Sequence, residues 1–402
     1  MIPTKEPESR RLPGNEKHRW GAWAALVVAG LLGPVTHGLG EPAPPSPSGP
    51  KSVGTTGEDA PASVAFEAAD AAFDPARPVV YLTDYEGRAL VALNLTNGVI
   101  EQQFSFADNP ESLTIAPNGR KMYVALLRRP HSPYWGGGHS STIVEFDLPG
   151  PVKVRKFAVA MDPYDMVVTD EGILVITSGS DQWTEIATYR AADGARLDSR
   201  SIRQRSRVSL HPSQEAVYTA DTDLSPSDIR RYNFGRTTGA FADGWDSPYH
   251  GQYPMSGNVW CHPDGSRLIV RGGGVFSSSA DKAQDMVYQF TLAGGQVEAI
   301  DFDEADEAMF TLGGGEWHHY NLETLELVRS MAAPAGTRFI HAAGEDVFVG
   351  TVGGGRTVFE RYANPAAGAA GNEPPVAAFT FEPAEPTTMD EVLFDASATR
   401  DD

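Results

Sequence analysis

The amino-acid sequence predicts an all-β ring built from seven small four-stranded sheets, and two observations lead there. The first is composition: among 402 residues there are 41 Gly and 30 Pro, with 41% hydrophobic residues. That is turn-rich, yet apolar enough for a sizeable core. The second is an internal repeat of a strand, a tight turn and a second strand, spaced about 40 to 50 residues apart. Its clear copies are "AAFDPARPVVYLTD" (Ala71 to Asp84), "LTIAPNGRKMYVAL" (Leu113 to Leu126), "MVVTDEGILVIT", "VSLHPSQEAVYTAD" and "VWCHPDGSRLIV". Fainter copies are "IDFDEADEAMFTL" and "FIHAAGEDVFVGTV".

In chain order, the first 40 residues predict an export signal. The basic stretch "RRLPGNEKHRW" precedes the apolar "AWAALVVAGLLGPV", and small residues around Gly40 suit cleavage. The apolar run is shorter than the ~20 residues a membrane span needs. Membrane attachment is therefore expected only if this segment stays uncleaved. Residues 41–61, "EPAPPSPSGPKSVGTTGEDAP" in the main, form a Pro/Ser/Gly linker with little to bury.

Residues 62–364 hold the repeat. Its turns centre on Pro75, Pro117, Asp170, Pro212, Pro263, Glu304 and about Ala342. Third strands follow as "ALVALNLT", "TIVEFDL", "EIATYRA", "DIRRYNF", "MVYQFTL" and "WHHYNLE". Fourth strands follow as "VIEQQFSF", "VKVRKFAV" and "LELVRSM". A lone four-stranded sheet cannot bury both faces, so such units must stack around an axis, giving a seven-bladed β-propeller. The seventh copy ends after three strands with "TVFERYA". "ASVAFEAA" (Ala62 to Ala69), ahead of the first copy, is free to supply its outer strand and remove an open edge.

The words "APNGRKMYVAL", "HPDGSRLIV" and "VALNLTNGVI" resemble the YVTN-type propeller repeat of secreted bacterial and archaeal proteins. That resemblance implies the fold and very little about function. After a linker at 365–373, residues 374–402 resemble the opening of a PKD domain, an immunoglobulin-like sandwich of cell surfaces. The matching words are "PPVAAF" and "VLFDASATRDD". Two strands cannot make a sandwich core, so this tail is expected to be a fragment.

Formal net charge is -21, which argues against a nucleic-acid partner, since phosphate binding needs clustered Lys and Arg. The single cysteine, Cys261, can form no intrachain disulfide and reads as a buried strand residue. No G-x-S-x-G elbow and no H-E-x-x-H occurs. An enzyme is thus unsupported by motif, although a lactonase-like hydrolase or lyase would draw its groups from several blades at the channel mouth.

In a propeller the second-to-third links and the links between blades emerge on one face. The long ones here are "LRRPHSPYWGGGHSS", "SGSDQW", "DTDLSPSD" and "RGGGVFSSSADKAQD", with "TTGAFADGWDSPYHGQYPMSG" between blades four and five. Together they predict a raised, aromatic-rich surface over blades two to five. Its candidate ligand-binding residues are His131, Tyr134, Trp135, His139, Trp183, Trp245, Tyr249, His250 and Tyr253. Rings of this kind stack on sugars or grip a peptide. The glycines at the same link in several blades read as turn-makers, not as a phosphate cradle. His131, His139 and His250 could hold a metal only if the loops converge, and their spacing matches no zinc signature. Asp221, Asp223 and Asp228 have the oxygen-ligand character of a calcium site, but Asp84 stands at the position of Asp221 in a loop with no other aspartate, which suits turn capping. The expected function is secreted or cell-surface binding of an extracellular glycan or protein, with no cofactor beyond that calcium.

Overall fold

The computed structural model describes residues 61–134, 138–222 and 225–368, with two further strands at 380–382 and 393–395. It is a seven-bladed β-propeller. Each blade is an antiparallel sheet, and in blades one to six the strands run outward from the axis in chain order. Blade one is Ala71–Phe73, Val79–Asp84, Ala89–Asn94 and Ile100–Ser105; blade two is Asn109–Ile115, Lys121–Leu127, Ser141–Asp147 and Val152–Val159. Blade three is Pro163–Val168, Ile173–Ser178, Trp183–Arg190 and Ala195–Arg203; blade four is Arg207–Leu210, Ala216–Ala220, Ile229–Phe234 and Phe241–Asp246. Blade five is Val259–Cys261, Arg267–Val270, Gly274–Ser277 and Tyr288–Thr291; blade six is Ala299–Asp303, Ala308–Gly313, Glu316–Asn321 and Leu327–Ala332. Blade seven is Thr337–Ala343, Asp346–Gly353 and Arg356–Ala363, and its outermost strand is Ala62–Val64.

That last strand closes the ring. Ala62, Ser63 and Val64 pair with Phe359, Val358 and Thr357. The Thr357 hydroxyl donates to Phe66 O and accepts from Ala68 N, both at 2.9 Å.

The repeat exists because a blade is apolar on both faces. The middle strands are buried along almost their whole length, as in Val79–Asp84 and Ile173–Ser178, while rim strands such as Ile100–Ser105 are exposed. Seven hydrophobic clusters result, each filling the gap between two neighbouring blades. Polar clamps bridge the same gaps. Asp70 accepts from Leu113 N, Asp165 from Val208 N and Asp301 from Ala342 N, each reaching into the next blade. On the opposite side His211 contacts Gly265 O and His262 contacts Leu322 O, which makes the two His-Pro turns structural.

Three expectations need correction. In blade five the third strand is Gly274–Ser277, and "MVYQFTL" contains the fourth, Tyr288–Thr291. Residues 278–287 therefore connect third to fourth strand, on the face opposite the raised loops. The reason is local: Gly273 at φ 81 completes a tight turn straight after Val270, and Val275 and Phe276 then bury themselves in the two flanking gaps. In blade seven Ala342 lies inside the first strand, and the turn falls at Gly344. Past the ring, Ala366 packs into the gap between blades six and seven, so the segment at 365–373 does not start as a free linker.

Among the described residues of 374–402, Thr380–Glu382 pairs with Leu393–Asp395, and no β-sandwich is present. The strands that close the sheet system are those of the propeller itself. Residues 1–60 lie outside the described residues, and no described helix is long and apolar enough to cross a membrane.

Candidate functional site

The raised face is centred on blades two and three, where two loops are locked together. Ser132 N donates to Ser180 Oγ at 2.8 Å, and Asp181 N donates to Ser132 O at 2.9 Å. His131 pins the same junction. Its Nδ1 lies 2.9 Å from Asp162 Oδ2, its Nε2 lies 3.5 Å from Glu111 Oε1, and its ring meets Tyr164 edge-on. Its side chain is only 10% exposed. Burial opposes the imidazolium, but Asp162 and Glu111 outweigh it and lift the pKa to about 9. Burial likewise opposes the Asp162 charge, and hydrogen bonds from His131, Ser178 and Ser180 hold its carboxyl below the usual range. His139 approaches the same carboxylate at 3.9 Å. Gly179 makes room for this arrangement: a Cβ there would lie 2.2 Å from His131 Nδ1.

These two histidines are therefore packing residues at a blade junction, not open ligand contacts. His250 is not brought to them. It sits on the link between blades four and five, 3.0 Å from Asp228, so the three histidines form no common metal cage.

The aromatic residues divide. Tyr134, two residues past Ser132, is 91% exposed, and Trp183, two residues past Asp181, is 60% exposed. Trp183 also carries the Arg203 guanidinium over its ring at 5.6 Å. Trp135 and Asp223 lie outside the described residues. Trp245, Tyr249 and Tyr253 do not form stacking platforms. Trp245 belongs to the fourth strand of blade four, is buried, and donates its indole N–H to the buried Asp285 at 2.8 Å. Tyr249 and Tyr253 pack edge-to-face on each other and against Phe276, and Tyr253 stacks on Tyr288 at 4.2 Å. Their rings are partly buried and pack against the cluster in the gap between blades four and five.

Of the aspartates proposed for calcium, Asp221 and Asp228 are already engaged. Asp221 accepts from Arg203 at 2.8 Å, and that guanidinium also donates to Pro226 O, so a cation already occupies this corner. Burial pushes the Asp221 carboxyl up to about 6 against the pull of Arg203. Asp228 accepts from Ile229 N and Ser247 Oγ and faces His250. Asp84 caps its turn through Gly87 N. Among the described residues no group of three His, Cys, Asp or Glu side chains is placed to hold a metal ion.

Sequence reasoning named the channel mouth as the place of an alternative catalytic site but assigned no residue to it. A cavity of about 590 Å³ opens at the axis and takes lining residues from all seven blades. Asp70, Glu111, Tyr164, Arg207, Arg271 and Glu298 are its chemically distinctive members. Arg271 and Glu298 form a two-pronged ion pair, at 2.9 and 2.6 Å. Burial raises the Asp70 carboxyl to about 6 and Asp165 adds to the rise, against the pull of the Leu113 amide and Arg207. The only signal for this site is that the first strand of most blades begins beside a charged residue, which is visible once the strands are aligned on the axis.

No protein-family model and no curated protein sequence matches the chain. Among solved structures, a chain described as Kuenenia stuttgartiensis hydrazine synthase superposes with a TM-score of 0.57. It covers 78% of this chain and 99% of its own length, at 11% identity. At that identity the likeness shows the propeller fold alone.

Proposed function

We propose that this protein is an extracytoplasmic recognition module whose propeller binds a glycan on the face carried by blades two and three. The observation behind this reading is the pair of exposed rings, Tyr134 and Trp183, each two residues from the hydrogen bonds that lock their loops together. Rings held on a fixed base bind without a large ordering cost. A glycan suits them better than a protein partner. The rings stand among Ser132, Asp181 and Gln182, polar groups that can bond to sugar hydroxyls, whereas the core of a protein interface is more continuously apolar. The basic-then-apolar N-terminal segment supports export, and the words "PPVAAF" and "VLFDASATRDD" support a PKD-type surface module after the propeller. The test is a glycan array probed with the purified protein. Selective retention on a subset of glycans is expected, and a blank array would overturn the reading.

A second reading, a hydrolase or lyase of the propeller lactonase kind, is favoured by one observation: carboxylates and guanidinia converge at the axis. Turnover of a panel of γ- and δ-lactones, abolished by Glu111→Gln, would establish it; no turnover by the native protein would remove it.

A further inference from the structure

The channel mouth holds one cation whose bonding capacity is unused. Arg338 donates to Ala68 O and Ala69 O, and Arg271 is paired with Glu298. Arg207 differs from both. Its guanidinium carbon lies over the Tyr164 ring, 4.5 Å from the centroid, and its nearest carboxylate, Asp165, is 3.9 Å away, too far for a hydrogen bond. Among the described residues its N–H groups find no hydrogen-bond partner, and its side chain is 34% exposed into the cavity. Stacking fixes the fork, and a fixed fork with open donors fits a carboxylate in two-pronged fashion.

The surroundings of Arg207 are acidic. Burial opposes its charge, while Asp165, Tyr164, Asp70 and Glu111 together more than offset that and raise its pKa. Three carboxylates around one guanidinium disfavour a simple anion. Of the three, Asp70 has both oxygens engaged by the amides of Leu113 and Ala71, and Asp165 those of Val208 and Met166. Glu111 faces the His131 imidazolium with Oε1 at 3.5 Å, and among the described residues its Oε2 meets no partner and remains available in the cavity. An open cation and an open anion thus line one cavity of about 590 Å³, a volume in the range of small-molecule sites.

We propose that the channel mouth binds a small zwitterion, a free amino acid or short peptide, with its carboxylate on Arg207 and its ammonium facing Glu111. This goes beyond the glycan reading and does not depend on it. The two sites share a face and no residue.

The test is calorimetric titration of the whole protein with each proteinogenic amino acid and with alanylalanine. At least one should bind with a Kd below about 1 mM. Its methyl ester and its N-acetyl form, each lacking one charge, should bind at least about tenfold more weakly. Arg207→Gln should abolish binding, Arg207→Lys should restore part of it, and Tyr134→Ala and Trp183→Ala should leave it unchanged. Failure of every zwitterion to bind at about ten times that concentration would overturn the proposal. So would equal binding of the ester and N-acetyl forms to the native protein, a result that needs no variant to fold.

Discussion

At His131 one imidazole ties the raised loop of blade two to blade three through Asp162 and reaches back to Glu111. Its pKa of about 9 lies above the 6.5 of an unfolded histidine. The stabilisation is therefore fully present below pH 6.5 and is lost as pH rises through 9. Its ceiling is roughly 3–3.5 kcal/mol. His131→Gln should cost most of that at pH 6 and little at pH 10, so the difference between native and variant in urea unfolding should shrink across this window. A difference that stays constant with pH would show that the ring acts by packing alone. Residues of this kind were only half legible in the sequence. "HSPYWGGGHSS" announces chemistry, but whether a ring faces solvent depends on a neighbour far along the chain. Trp245 turns inward because Asp285, forty residues later, takes its N–H. Arg207 carries no local sign at all, since its importance comes from what the other blades leave around it.

Elements were easier to read than residues, because each blade repeats the same solution. Strand, tight turn and strand recur in a burial pattern that a run of apolar residues records directly. The two-glycine turns Gly314–Gly315 and Gly354–Gly355 have positive φ at both positions, as a two-residue hairpin of this twist requires. Blade five misled because its third strand is only Gly274–Ser277 and follows glycines that resemble a long loop. Between elements, Gly179 offers the sharpest test. A Cβ there would lie 2.2 to 2.6 Å from three atoms of the His131 ring. Gly179→Ala should therefore evict the imidazole from Asp162 and cost about 1–3 kcal/mol. It should also remove the same pH dependence that His131→Gln removes. Retention of that dependence in Gly179→Ala would contradict the packing described.

The whole molecule depends on a ring closed by its two ends, which the sequence placed correctly in "ASVAFEAA" and "TVFERYA". No blade has a core of its own. Seven clusters lie in seven gaps, so opening one gap exposes two apolar faces. Thr357→Val keeps the shape of the closing strand pair but leaves Ala68 N and Phe66 O without their partner. It should cost about 1–3 kcal/mol and lower the melting temperature by a few degrees. An unchanged melting temperature would mean that the closing segment contributes little to ring stability.

The central claim is that this closed ring serves to hold Tyr134 and Trp183 rigidly on one face. The measurement that tests it most directly is the affinity of the tightest array glycan for four proteins: native, Tyr134→Ala, Trp183→Ala and Tyr253→Phe. The account predicts about a five- to tenfold loss in each alanine variant, a stacking contribution of roughly 1–1.5 kcal/mol per ring, and no change in Tyr253→Phe, whose ring packs between blades four and five. Undiminished binding by both alanine variants would contradict it.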